Sequence, residues 1–209
     1  MKFIKLYESF TDIDSICKKY DIYNYTINKD GTVDVDGDVD LNSSRLIKLP
    51  LKFGKVSGYF NCYDNQLTTL EGGPQSVGGY FCCSHNKLIS LEGGPQSVGG
   101  YFDCMINRLI TLEGCPQSVG GYFNCSFNYL KDFYGFPEFF DGFVYFGSNP
   151  VSEILYLFED RLGKVIDLLN EYGVIQQDGK VVILDRLEEV FYTLNMEIPE
   201  INLKNYEVY

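Results

Sequence analysis

The sequence predicts a repeat solenoid closed by a cap at each end, and three observations predict it. First, residues 55–130 carry three near-copies of one unit and the start of a fourth: YFNCYDNQLTTLEGGPQSVGG from Tyr59, then YFCCSHNKLISLEGGPQSVGG, YFDCMINRLITLEGCPQSVGG and YFNCSFNYLKDF. Second, the period is 21 residues without slippage, so that Tyr59, Tyr80, Tyr101 and Tyr122 form a column. Cys62, Cys83, Cys104 and Cys125 form another, as do Asn65, Asn86, Asn107 and Asn128, and Leu67, Leu88, Leu109 and Leu130. Third, the periodicity changes to a helical one on both sides of the array. Such a short unit cannot bury an apolar face alone, so fixed-period self-similarity means stacked units.

Within each unit the frame F-x-C-x-x-N-x-L-x-x-L resembles the leucine-rich repeat, with Phe and Cys at the strand positions usually filled by Leu. The unit length and the prolines Pro74, Pro95 and Pro116 are most similar to the short repeats of bacterial effector proteins. That resemblance implies a leucine-rich-repeat-like parallel sheet and an extended return in place of a full helix. The alternation of the strand points Phe81 and Cys83 inward and Tyr80, Cys82 and Ser84 outward. Asn of the frame turns the chain by bonding the backbone. Gly72-Gly73 and Gly78-Gly79 suit tight corners, where a positive φ is tolerated.

Residues 1–36 read as an N-terminal helical and hairpin cap. Phe3, Leu6, Tyr7 and Phe10, then Ile13, Ile16, Cys17 and Tyr20, stand at helical spacing. Thr11 or Asp12 is placed to cap the second of two short helices. YTINKDGTVDVDGDVDL then reads as a hairpin turning at Asp30-Gly31. Residues 37–150 hold the solenoid of about five repeats, because Leu46, Leu49 and Val56 extend the columns backwards and Phe146, Asn149 and Val151 extend them forwards. About five strands are expected between 38 and 147.

Residues 151–209 read as a C-terminal α+β cap or small interaction domain. Ile154, Leu155, Phe158, Leu162, Val165, Ile166 and Leu169 are spaced for a helix that Gly163 is placed to kink or split and Gly173 to end. VIQQDGKVVIL has the Asp178-Gly179 turn of a hairpin, Asp185 is a candidate cap for a last helix, and INLKNYEVY is a polar, aromatic tail.

Composition narrows the function. The chain is 45% hydrophobic with a formal charge of −12, which argues against direct nucleic-acid binding through phosphates. Residues 59–150 carry 8 acids and 3 bases and residues 151–209 carry 12 and 5, whereas residues 1–58 are balanced. No run of 18 apolar residues and no signal-peptide pattern is present, so a cytoplasmic protein without membrane attachment is expected. Four of the seven cysteines form the inward column and read as small buried hydrophobes, with no C-x-x-C pair for a metal. Cys82 is the exception, expected to be an outward and accessible thiol.

The candidate site is the outward face of the strands, the surface that solenoids use for binding. Its first column is Asp38, Tyr59, Tyr80, Tyr101, Tyr122 and Phe143; its second is Asp40, Asn61, Cys82, Asp103, Asn124 and Tyr145; its third is Asn42, Tyr63, Ser84, Met105, Ser126 and Gly147. Tyr, Asn, Asp and Met on a rigid sheet have the composition of a protein-binding patch. The invariant Tyr column reads equally well as a ladder of rings that stabilises the sheet. Asp34, Asp36, Asp38 and Asp40 alternate with apolar residues, and one extended strand would place them on one face about 6.7 Å apart. Three readings of that stripe are a calcium loop, a phosphate-mimicking surface and a charged edge strand; the first lacks the Gly position and closing Glu of an EF-hand.

No enzyme is expected. His85 is the only histidine, no Cys-His pairing or Gly-rich phosphate loop exists, and Glu71, Glu92 and Glu113 recur with the scaffold. Effector proteins with such repeats can carry a ubiquitin-ligase domain, but no cysteine follows Cys125 to serve as its nucleophile. No cofactor is expected. The MKFIKLYESF opening, the YTINKDGTVDVDGDVDL hairpin and the NPVSEILYLF…VILDRLEEVF ending make the whole chain similar to a family of phage-encoded leucine-rich-repeat proteins. That resemblance implies a protein made in a host cytoplasm that binds a host (defence) protein to inhibit or redirect it, and the chain's own acidic charge suits a partner with a basic surface. An acidic decoy for a nucleic-acid-binding host enzyme and a virion or assembly component are the alternatives, and self-association through open sheet edges is a further possibility.

Overall fold

Each 21-residue unit makes one turn of a β-solenoid and contributes two short strands, most of them two residues long. A computed structural model describes residues 12–158, 162–176 and 179–209; the first of the two expected N-terminal helices and Asp178 lie outside them. The chain enters through a helix at residues 12–19 (α1), which seats Cys17 in the core. The expected hairpin follows: β1 (Tyr25–Ile27) pairs antiparallel with β2 (Val33–Val35) around Gly31, whose φ is +83°.

From there two sheets grow in parallel. One contains β2, β4 (Phe53–Val56), β6 (Ser76–Val77), β8 (Ser97–Val98), β10 (Ser118–Val119) and β12 (Phe139–Phe140), with β1 at its edge. The other contains β3 (Val39–Asp40), β5 (Phe60–Asn61), β7 (Phe81–Cys82), β9 (Phe102–Asp103), β11 (Phe123–Asn124) and β13 (Val144–Tyr145). We call them the Ser-Val sheet and the Phe sheet. The extended return is thus itself a strand, and six strands, rather than about five, occupy the expected Phe sheet among the described residues. Because β2 already pairs with β4, the solenoid begins inside the segment read as a cap.

The core is built of columns one turn apart. Phe60, Phe81, Phe102 and Phe123 are fully buried, with ring centroids 5.3–5.6 Å apart and planes within 10° of parallel. Each such ring contributes about 2 kcal/mol by burial. The Cys62–Cys125 column and the two Leu columns fill the remaining interior. A polar column closes the third side. Asn65, Asn86, Asn107, Asn128 and Asn149 each donate from Nδ2 to a carbonyl three residues back and to another 24 residues back. Their Oδ1 atoms accept the backbone N–H of the residue 19 positions earlier.

The two Gly pairs work differently. Gly72 needs its positive φ (+88°), whereas Gly78 and Gly99 are needed for close approach: a Cβ on Gly99 would overlap the Gly78 carbonyl.

The array passes into a C-terminal α+β cap at Asn149. Helix α2 (Ser152–Leu155) continues as a 3₁₀ turn, Tyr156–Phe158, and α3 (Leu162–Glu171) follows. The expected break at Gly163 is absent, since α3 runs through it. Gly173, at φ +59°, ends α3 as expected. Asp185 does not cap α4 (Leu184–Thr193): Ile183 holds that position in extended backbone, and Asp185 sits in the first turn, where its charge suits the helix dipole. The tail is strapped down, not loose. β14 (Val181–Val182) pairs parallel with β15 (Glu207–Val208), Glu153 accepts the Lys204 and Asn205 N–H groups, and the Tyr206 hydroxyl donates to the Lys131 carbonyl at 2.9 Å. One continuous buried cluster joins the cap to the solenoid.

Candidate binding face

The outward side of the Phe sheet gathers the predicted columns in register. Pairing of β5, β7, β9 and β11 sets Asn61 opposite Cys82, Cys82 opposite Asp103 and Asp103 opposite Asn124. The tyrosines of the first column stack: Tyr59 on Tyr80, Tyr80 on Tyr101 and Tyr101 on Tyr122, at 4.5–4.7 Å and within 6° of parallel. The ladder reading therefore holds for these four. Their faces cover one another, and all four remain half-buried. Burial, reinforced by the neighbouring Tyr59, pushes the Tyr80 phenol up to about 12, so the column is neutral at physiological pH.

The second column does structural work of one kind. Asp40, Asn61, Asp103 and Asn124 each accept through Oδ1 the N–H two residues ahead, at 3.0–3.1 Å, closing an Asx turn where the strand ends. Cys82 replaces that bond with a 3.1 Å contact between its Sγ and the Ser84 Oγ. It is not the accessible thiol expected from its outward position. Only 8% of Cys82 is exposed, because the adjoining strands and the Tyr column crowd it, and burial raises its pKa. In the third column Ser84 and Ser126 are buried, Met105 is half-buried, and Tyr63 is exposed with its ring against His85 (5.0 Å).

Comparison with family models, with curated proteins and with solved structures finds no match.

The aspartate stripe does not exist as one face. The chain bends at Asp36-Gly37, where Gly37 adopts φ +143°, so Asp34 belongs to the Ser-Val sheet and Asp40 to the Phe sheet. Each carboxylate bonds the next turn: Asp34 the Lys55 N–H, Asp36 the Ser57 hydroxyl, Asp38 the Tyr59 N–H and Asp40 the Asn61 amide. They tie down the first edge of the solenoid, and the regular spacing that suggested phosphate mimicry is absent. Among the described residues no group of three or more His, Cys, Asp or Glu stands together to hold a metal, and no helix is long and apolar enough to cross a membrane.

The most exposed aromatics of the face lie at its C-terminal end. Phe143, in the Tyr column, is 77% exposed instead of stacked, and Tyr145 instead lays its edge on Tyr122 (5.8 Å, 82°). Phe127, 56% exposed, stands beyond the third column. The same place in earlier units holds Asp64, His85 and Ile106, so the column varies from turn to turn and Phe127 brings a large aromatic ring to it. On the opposite side of the solenoid a groove of about 650 Å³ crosses the Ser-Val sheet over Lys55, Ser76, Ser97 and Ser118. Periodicity alone did not reveal it, because the serines recur with the scaffold.

Proposed function

We propose that this protein is a non-catalytic binding module that seats a protein partner on the Phe-sheet face. The observation that carries the reading is the continuity of one aromatic surface. A column of stacked, half-buried tyrosines ends at Tyr122, whose ring meets the edge of Tyr145, and Phe143, Tyr145 and Phe127 are 77%, 50% and 56% exposed. Preformed aromatic side chains provide contact area with little entropy left to lose, as in the anchors of protein interfaces. The setting implied by the resemblance to phage-encoded repeat proteins makes a host protein, and a defence protein in particular, the partner, with inhibition or redirection the outcome.

Affinity purification from bacterial lysate tests this with wild type, Tyr80→Ala/Tyr101→Ala and Phe143→Ala/Tyr145→Ala, each checked for native melting. One protein retained stoichiometrically by wild type and lost with either variant supports the reading. Equal retention by all three moves the interface off this face. Retention that collapses between low and high salt and ignores both variants favours the acidic decoy.

A further inference from the structure

The unit that starts at Tyr122 departs from the repeat at one corner. Where the three units before it carry Thr69, Ser90 and Thr111 it has Asp132, and where they carry Glu71, Glu92 and Glu113 it has Tyr134. In place of Gly73, Gly94 and Cys115 it has Phe136. All three of these residues line a cavity of about 600 Å³ between this corner and the cap. The end of α3 and the chain after it form the opposite wall, through Asn170, Ile175 and Gln176. The corner itself does not need a charge. Thr69 and Thr111 accept through Oγ1 the N–H two residues ahead, and Asp132 accepts the Tyr134 N–H in the same way at 3.0 Å. Among the described residues that N–H is the one hydrogen-bond donor to Asp132, so the fold uses one carboxylate oxygen and not the other. Tyr134 is 65% exposed, and Phe136 is fixed by edge contacts with Phe123 and Phe140, each 5.6 Å away.

A cavity of this size takes a small organic molecule, and its polar groups decide which kind. We infer that it binds a small organic cation, an amine or amidine on an apolar body, with Asp132 as the anionic anchor. The turn bond holds the half-buried carboxylate in place before a ligand arrives, so little order remains to be gained on binding. Burial raises the pKa of that carboxyl, and a bound cation offsets the desolvation. Tyr134 and Phe136 bring aromatic surface, which attracts a cation as well as an apolar body, and Ile175 adds to the apolar wall. Asn170 and Gln176 bring side-chain carbonyls that can accept further N–H groups. The formal charge of −12 draws cations toward the protein and repels anions. The site lies at the corner between β11 and β12, and it does not depend on the protein-binding reading of the Phe-sheet face.

Chemical-shift titration of the ¹⁵N-labelled full chain with benzylamine and with benzamidine tests the assignment, with benzyl alcohol and benzoate as the neutral and anionic comparisons. The variants are Asp132→Thr, which installs the residue that closes this turn at Thr69 and Thr111, and Asp132→Asn, a second neutral acceptor. Glu92→Gln, two turns away and exposed, controls for the general acidity of the chain. Both cations are expected to shift amides of residues 132–136 and 169–176 together. Their affinity is expected to fall about tenfold or more in Asp132→Thr and Asp132→Asn and to stay unchanged in Glu92→Gln. Benzyl alcohol and benzoate are expected to give no localised shift. Absence of a localised shift with both cations, or shifts spread over the acidic surface and reduced equally by Glu92→Gln, overturns the site. Equal affinity of both Asp132 variants and wild type, or binding of benzyl alcohol as tight as that of benzylamine, overturns the carboxylate anchor and with it the cation assignment.

Discussion

Asn107 accepts the backbone N–H of Leu88, 19 residues earlier in the chain, at 3.0 Å. The same side chain donates to the Cys83 carbonyl at 3.0 Å and to that of Cys104 at 3.1 Å. One buried amide thus joins two turns of the solenoid and satisfies backbone groups that no strand reaches, because the strands are only two residues long. Asn107→Ala leaves the Leu88 N–H buried without a partner, at about 1–3 kcal/mol where water cannot enter, and removes one of the two amide donors from each of the Cys83 and Cys104 carbonyls, which Asn86 and Asn128 still reach. The expected loss is about 3 kcal/mol by urea unfolding at pH 7. Asn107→Asp, which cannot donate when ionised, is expected to lose more. A loss below about 1 kcal/mol in both would show that water replaces the amide.

Much of this was legible in the sequence because the repeats are so close to identical. The Asn, Phe, Cys and Leu columns follow from spacing alone, and so does the hairpin at Asp30-Gly31. What escaped were features that depend on the third dimension. A Ser-Val pair is too short to register as a strand until its neighbours a turn away pair with it. Cys82 alternates outward yet is covered, since a narrow sheet between bulky columns hides a small side chain. The Asp34–Asp40 run looked like one strand because alternation cannot report a corner, and Gly37 was the only hint of one. The tail after Pro199 gave no sign that Tyr206 would reach back to Lys131, 75 residues away.

Gly99 and Gly31 separate two reasons for glycine. A Cβ at Gly99 meets the Gly78 carbonyl of the preceding turn, while one at Gly31 meets nothing but must adopt φ +83°. Gly99→Ala is expected to cost about 3 kcal/mol by forcing adjacent turns apart, and Gly31→Ala about 1 kcal/mol. Thermal or urea unfolding of the two variants measures the difference; equal losses would contradict the close-approach argument.

Asp103 makes stability depend on pH with a definite sign. Its folded pKa is raised by desolvation, so the native state binds its proton more tightly than the unfolded chain does. The ionised group therefore opposes folding above the folded pKa, and the penalty fades as pH falls through that value and below the unfolded one. Asp103→Asn is expected to melt higher than wild type at pH 7, with the gap closing toward pH 3. A gap that is constant with pH, or a lower melting point at pH 7, would mean that the carboxylate contributes to the fold.

The thiols offer a direct check on packing. Cys17, Cys62, Cys82, Cys83, Cys104 and Cys125 are all buried and free. In native buffer these six are expected to resist an aromatic disulfide reagent over minutes, and all seven cysteines of the chain to react at once in urea. Fast native labelling mapped to Cys82 would show that the Tyr column opens.

The bonds between turns link positions 19 to 24 residues apart, and the same set recurs from one unit to the next. Inserting or deleting one whole unit therefore preserves each of those bonds and moves only the distance between the two ends, by about 4.8 Å per unit. The loss of a single residue would instead break every column at once. The molecule is a ruler with fixed graduations: its reach is set by copy number, and what it touches is set independently by the few outward side chains that differ from one graduation to the next.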